Sequence, residues 1–528
     1  MRRFQTLRSD PNVIAHALAI AALIFVTLVV LGLGNPAHAA DRTLEEQLKE
    51  QRKEIETLKE QVRQLTQAQP YQSSVTQNRS MQPSQDVSTQ SQPTQNINIP
   101  LDKDRPTSRN AAVLDQNGHG VSVSLDKDRP TFSTGDGQFS TSLRALIQYD
   151  NGWYGQQTAP TGTQLSNGSN FRRAQIGLTG TAFKDWSYNF TVDFGGSSIE
   201  KSGYIYTAYI EYDGLKPFGF RIGAYAPPAG LEDSTGSPDL IFLERPASAD
   251  LARNIAGAPS RDSATVFAEG TNYFAAVSFT GGKVGDASTF EDQQALVGRL
   301  AYLVYSDDKA HVLLDADGTY VLKFPGMVAG PHSPQSFSFS ITPELTADST
   351  ATKLVSTQTF DASHVKEGGL EAAADWKNLY AQIGYFGYGI ERRASALANP
   401  NFNGWYALAT WVITGESRSY DPGTATFRAP DPHKPLGSPS GFGALELAAR
   451  YSVLDLNYDA GNAGTVIAAN GVRGGRQDVW SLGLNWYPNS IFRFALDYEL
   501  INVRRFSGTG ADLGDHTHAI ALRSQVSF

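Results

Sequence analysis

From about residue 136 to its last residue, this chain places large apolar or aromatic side chains on one parity and small, polar or charged ones on the other. Such period-two sorting is the signature of β-strands, whose successive side chains point to opposite faces. The carboxy-terminus shows it most clearly. Ile520, Leu522, Val526 and Phe528 share one parity, and Arg523, Gln525 and Ser527 share the other. A final strand in a soluble protein usually frays into a polar tail. An aromatic terminus on the apolar parity instead suits the closing strand of an outer-membrane β-barrel, with lipid outside and water inside. The pattern recurs upstream. Leu143, Ala145, Ile147 and Tyr149 oppose Arg144, Leu146 and Gln148, and Trp480, Leu482, Leu484 and Trp486 oppose Ser481, Gly483 and Asn485. A β-sandwich would alternate too and is the competing reading. Aromatics near strand ends, such as Trp153, Tyr154, Trp186, Trp486 and Tyr487, suit the girdles of a barrel. The region 136–528 allows roughly 25 residues per strand and connection, which predicts an all-β transmembrane barrel of about 16 antiparallel strands.

Composition removes several alternatives. With 40% hydrophobic residues and a mean hydropathy of −0.31, the chain lacks the repeated long apolar runs of a multi-span helical membrane protein. It has no cysteine, which excludes disulfides, Cys-ligated zinc and thiol catalysis together. A net charge of −9 argues against a general nucleic-acid partner.

The front of the chain reads as export machinery. Arg2, Arg3 and Arg8, an apolar run and Ala37-His38-Ala39 predict a signal peptide over 1–39; an uncleaved inner-membrane anchor is the alternative. Residues 40–66 carry a heptad, with Leu48, Ile55 and Val62 at a and Leu44, Gln51, Leu58 and Leu65 at d, which predicts a short periplasmic coiled coil. Residues 67–135 read as a low-complexity linker in which Leu101–Thr107 recurs letter for letter as Leu125–Thr131. Beyond 136, polar stretches near 155–169, 226–262, 325–372, 391–402, 417–440 and 458–477 read as extracellular loops. The mixed stretch 226–262, with Glu244, Arg245 and Arg253 among Leu240, Ile241, Phe242 and Leu243, is a candidate constriction loop folding into the lumen.

Arg144, Arg173, Arg221, Arg299, Arg450, Arg493 and Arg523 all fall on the non-lipid parity. An arginine facing lipid at mid-depth costs about 2–4 kcal/mol, so these are candidate pore-lining residues. Guanidinium groups would lower the barrier for an anion. Neutralisation by Glu446, Asp497 and Glu499 would merely brace the wall. His516 and His518 share a strand face beside Asp515 without further ligands in view, so no metal or cofactor is expected. No catalytic triad or phosphate loop stands out. An enzyme, or a tether between outer membrane and cell wall, is a lesser alternative.

Several blocks, in order, carry a resemblance. They are Phe171–Gly180 with Phe183-Lys184-Asp185-Trp186, Arg221-Ile222-Gly223 with Pro227-Pro228, Phe242-Leu243-Glu244-Arg245, Leu408–Arg418, Gly443–Tyr451 and Gly483–Tyr487. With the terminal Phe528 they resemble the phosphate-selective porin O/P family. The resemblance implies a homotrimer of 16-stranded barrels in the outer membrane of a Gram-negative bacterium, an amino-terminal coiled coil in the periplasm, and passive flux of small anions such as phosphate. Family members that prefer phosphate carry many Lys and Arg along the lumen, whereas no Lys follows Lys434 here. A general or weakly selective diffusion channel is therefore the alternative.

Overall fold

The computed structural model describes residues 111–113, 120–126, 129–158, 160, 162–196, 203–285, 292–326, 336–347, 351–393 and 395–528. The expected signal peptide, the coiled coil and the first copy of the repeated heptapeptide lie outside these residues.

Sixteen antiparallel strands follow one another round a closed sheet. They are β1 (Phe139–Gln156), β2 (Gly168–Ala182), β3 (Trp186–Asp193), β4 (Tyr204–Leu215), β5 (Phe218–Tyr225), β6 (Arg261–Glu269), β7 (Tyr273–Lys283) and β8 (Gln294–Ser306). The second half comprises β9 (Ala310–Lys323), β10 (Phe360–Trp376), β11 (Leu379–Arg392), β12 (Asn401–Val412), β13 (Ala444–Tyr458), β14 (Val472–Tyr487), β15 (Phe492–Arg504) and β16 (Asp515–Ser527). Each strand pairs with its neighbour in sequence, and β16 pairs with β1 from Thr517↔Gln156 to Ser527↔Leu146. Phe528 completes the seam by exchanging two backbone hydrogen bonds of 3.0 Å with Ala145. Closure leaves no unpaired sheet edge in lipid, which is what a spanning sheet requires.

Parity sorts the side chains as the period demands. Ile520 and Leu522 are both 44% exposed on the outside, while Ala521 between them and Arg523 after them are each 1% exposed on the lumen side. Consecutive strand residues must face opposite ways, and this corrects two of the aromatics expected in the girdle. Trp153 and Trp486 face outward, but Tyr154 packs inward and Tyr487 is buried with its hydroxyl on Glu446.

One end of the barrel carries mostly tight turns, such as Lys377-Asn378 between β10 and β11, where Lys377 takes φ 54° as a two-residue hairpin turn allows. Both described chain ends lie at this end. The other end carries the longer connections, so by the usual rule it is extracellular and the turn end periplasmic. Counting strands corrects one expectation. The stretch 417–440, read above as an extracellular loop, joins β12 to β13 and therefore leaves the barrel at the periplasmic end. The stretch 325–372 is also shorter than expected as a loop, since β10 begins at Phe360.

Part of the expected linker is a sheet extension. Strands Ala111–Val113, Val121–Asp126 and Arg129–Thr134 form an antiparallel meander whose last member pairs with the start of β1, Thr131↔Ser142 to Ser133↔Ser140. It takes the place along β1 that β16 does not reach. The second copy of the repeated heptapeptide spans the connection in this meander, with Asp126 opposite Arg129.

Candidate functional site

Three connections fold into the barrel and fill its middle. The first is segment 226–260 between β5 and β6. It contains helices α1 (Leu231–Ser234) and α2 (Ala247–Ala256), and Leu240, Ile241, Phe242 and Leu243 are all buried. The second comprises residues 336–347 and 351–359. Its short strands Ser340–Ile341 and Val355–Ser356 pair, and its Phe339 ring sits 5.6 Å from those of Tyr388 and Phe402. The third is segment 413–443, entering from the periplasmic end. Apolar burial holds all three against the wall. Small wall residues let them approach: a Cβ on Gly483 of β14 would stand 3.1 Å from the Phe242 ring.

The arginines of β13, β15 and β16 bind the first segment through its carbonyl oxygens. Arg493 donates to the carbonyls of Leu240 and Ile241 and to the Asn485 side chain. Arg523 donates through two nitrogens to Asp150 at 2.7 and 2.6 Å, and through Nη1 to the Leu243 carbonyl at 2.7 Å. Arg450 donates to the Glu244 carbonyl at 2.8 Å, pairs with Glu344 at 2.6 Å and Glu499 at 3.4 Å, and stacks 4.3 Å from the Phe242 ring centre. A buried guanidinium is tolerable only with this degree of hydrogen bonding.

The remaining candidates differ. Arg299 on β8 pairs with Asp315 at 2.8 Å and donates to the carbonyls of Thr424 and Ala425 in the third segment. Arg221 on β5 pairs with Glu211 and lies 4.5 Å over the Tyr209 ring. Arg173 on β2 is buried with Nη1 on Gln148 at 2.6 Å, and Arg144 on β1 is exposed to the lumen. Neither of these two, nor Arg493, has a carboxylate at ion-pair distance among the described residues.

In the first segment, Glu244 accepts from Arg172 at 2.7 and 3.0 Å and from Arg523 at 3.1 Å. Arg245 donates to the carbonyls of Glu232, Asp233 and Thr235, pinning α1, and Arg253 pairs with Asp233. Arg245 and Arg253 therefore hold the segment's own shape.

Two arginines escaped the parity argument. Arg172 occupies a β-bulge, since Gln148 pairs with Arg173 but Tyr149 with Phe171, so it turns inward beside Arg173. Arg418 lies in the third segment, paired with Glu446 at 2.7 Å and donating to the Asp239 carbonyl, while the Asp239 carboxylate accepts from the Ala429 amide. The first and third segments are thus tied together inside the lumen. His516 and His518 face outward and bond to Asn502 and Tyr498.

Two cavities flank the filled middle. The one on the loop side, about 180 Å³, is lined by Arg172, Thr342, Leu345, Thr346, Thr352 and Lys353. The one on the turn side, about 670 Å³, is lined by Arg144, Gln175, Asp239, Arg428, Arg493 and Phe528 among others. A third, of about 10 Å³ or roughly one water, lies beside Glu232, Phe242, Arg418 and Arg450.

Residues 142–528 match the model of the family described as phosphate-selective porin O and P. Porin O of Pseudomonas aeruginosa is 26% identical over 430 residues, covering 75% of this chain and 90% of that protein. An uncharacterised protein of Caulobacter vibrioides is 26% identical over 383 residues, covering 70% of each. Among solved structures, an anion-selective porin from Comamonas acidovorans superposes with a TM-score of 0.41 at 11% identity, covering 74% of this chain and 100% of that one. A family match running through all sixteen strands, on a closed sheet that is apolar outside and charged within, means that the chain belongs to the phosphate-selective porin O and P family, porins of the Gram-negative outer membrane.

Proposed function

We propose that the porin passes small anions, phosphate among them, along the wall formed by β1 and β2. The observation that carries this reading is the series Arg172, Arg173 and Arg144. The first lines the loop-side cavity and the last the turn-side cavity, with Arg173 between them on the same two strands. Arg144 pairs with Gly177, four residues along β2 from Arg173, so the series descends by roughly 13 Å at strand rise. Arg173 and Arg144 carry charge that no carboxylate offsets at ion-pair distance among the described residues. Lys353 adds a cation at the loop-side cavity and Arg493 one at the turn-side cavity. Selectivity in a water-filled pore follows its lining charge and width. An anion would meet a cation at each stage, every site shallow enough to leave.

The pairing of Arg221, Arg299, Arg450 and Arg523 with carboxylates supports a second reading, a weakly selective channel without phosphate preference. We read the protein as a conduit and not an enzyme, working as a homotrimer embedded in outer-membrane lipid. Planar-bilayer recordings in a salt gradient test the reading. The expected reversal potential has the anion-selective sign, with conductance in chloride reduced by added phosphate. A cation-selective sign ends the proposal, and indifference to phosphate favours the second reading.

A further inference from the structure

The lumen faces of β9 and β10 gather four carboxylates, and the register sets Asp315 opposite Glu371 and Glu367 opposite Thr319. Carboxylate oxygens of Asp315, Asp317 and Glu371 all lie within 4.8 Å of one another. The Asp317 carboxylate occupies the space a Cβ on Gly369 would need, between the two glutamates. Gly230, at the start of the first inward segment, passes so close that its own Cβ would stand 2.7 Å from a Glu371 oxygen and 3.2 Å from one of Asp317. Against four acidic groups stand one guanidinium, Arg299 on Asp315, with the amides of Leu231 and Glu232 and the Tyr406 hydroxyl, which donate to Glu371.

Glu367 decides how the cluster is read. It is 6% exposed, with the Asp317 carboxylate and the Thr319 hydroxyl and amide beside it, yet no hydrogen bond of good geometry reaches either of its oxygens among the described residues. One oxygen of Asp315 and one of Asp317 share that condition. Buried charges are normally paired or coordinate a metal, because leaving them bare is costly.

We propose that this pocket binds one divalent cation, with Ca²⁺ preferred. Asp315, Asp317 and Glu371 supply up to six oxygens, the lower end of the six to eight that Ca²⁺ takes, with Glu367 beside Asp317 to add to them, and their 4.8 Å spread is twice a Ca–O distance of about 2.4 Å. The all-oxygen set does not suit zinc or copper. Mg²⁺ holds its waters tightly, and Gly230 closes the space they would need. The cation ties α1 to the wall through Glu371, on the side away from the arginines of β13, β15 and β16. With Arg299 it also offsets three of the four acidic charges of β9 and β10. The site is independent of which solute the channel passes.

The test uses the full chain refolded in lipopolysaccharide-free detergent after chelation, with Tb³⁺ and Ca²⁺ as probes. The Tyr406 hydroxyl donates to Glu371, so exciting that ring sensitises a lanthanide held in the pocket. Expected are saturable Tb³⁺ luminescence that Ca²⁺ competes away, and a thermal transition raised by Ca²⁺. Asp317→Asn and Glu367→Gln each weaken binding by about tenfold or more. A wild-type barrel with no saturable signal and a Ca²⁺-independent transition overturns the proposal, and so does a signal unchanged in both variants. The wild-type measurement needs no variant, so a variant that fails to refold does not shield the idea.

Discussion

Strands β13, β15 and β16 meet segment 226–260 with guanidinium groups, while β10 meets it with a carboxylate. On the basic side, Arg450, Arg493 and Arg523 take its carbonyl oxygens. On the acidic side, Glu371 takes the amides that open α1. The peptide unit supplies both ends of this arrangement, since every non-proline residue offers one acceptor and one donor. A loop crossing a lumen can therefore be held through its backbone by walls of opposite sign. The two sides differ in how complete they are. The basic side is densely bonded and interleaved with Glu344, Glu499 and Asp150, whereas the acidic side holds more carboxylate than Arg299, two amides and the Tyr406 hydroxyl can satisfy.

Substitutions at the two walls should separate them. The largest effect is expected at Arg450→Ala, which leaves Glu344 and Glu499 buried without their partner. Breaking such a pair costs about 3–5 kcal/mol. Thermal unfolding should fall accordingly, and single-channel conductance should rise as the segment loosens; an unchanged conductance would mean that the basic wall does not hold the segment. Glu371→Ala should cost less, about 1–3 kcal/mol, because it strands two amides but also relieves crowding among the acids. If it proves costlier than Arg450→Ala in the same melts, the ranking of the walls is reversed. Arg172→Lys replaces a two-nitrogen grip on Glu244 with a single point contact, for a loss of about 1 kcal/mol. Arg144→Glu should leave the melt alone and move the reversal potential toward cations, since the residue is exposed to the lumen and pairs with no carboxylate among the described residues. Smallest of all, Lys353→Ala should reduce anion preference by roughly twofold or less, its charge being screened at the loop-side cavity. Bilayer recordings on the last two show whether the anion route follows β1 and β2.

Much of this architecture was legible in the residues because parity is a hard physical constraint. A strand in lipid cannot hide an arginine on the wrong face, so the lumen side of Arg450, Arg493 and Arg523 could be read from their neighbours alone. The inward course of 226–260 was also suggested by Leu240, Ile241, Phe242 and Leu243, which have no reason to sit in an exposed loop. What stayed hidden depended on counting or on long-range pairing. The side on which 413–443 leaves the barrel follows only once every preceding strand is known. The inward turn of Arg172 needs a bulge, and bulges leave no trace in simple alternation. The meander at 121–134 has strand-like alternation, but its composition resembles the polar stretch before it. Asp315, Asp317, Glu367 and Glu371 share the lumen parity, yet their convergence required the register of β9 on β10.

The extra residue in β2 has a consequence for how such a channel can change. Substituting a lumen residue alters one contact at a time, whereas inserting or deleting a single residue in a strand rotates a neighbour from the bilayer into the water. The bulge at Arg172 lets the wall carry two successive cations without disturbing the hydrocarbon surface on either side. Charge density along a pore can thus be adjusted through indels as well as point changes, a route that alignments scored by substitution alone would undervalue.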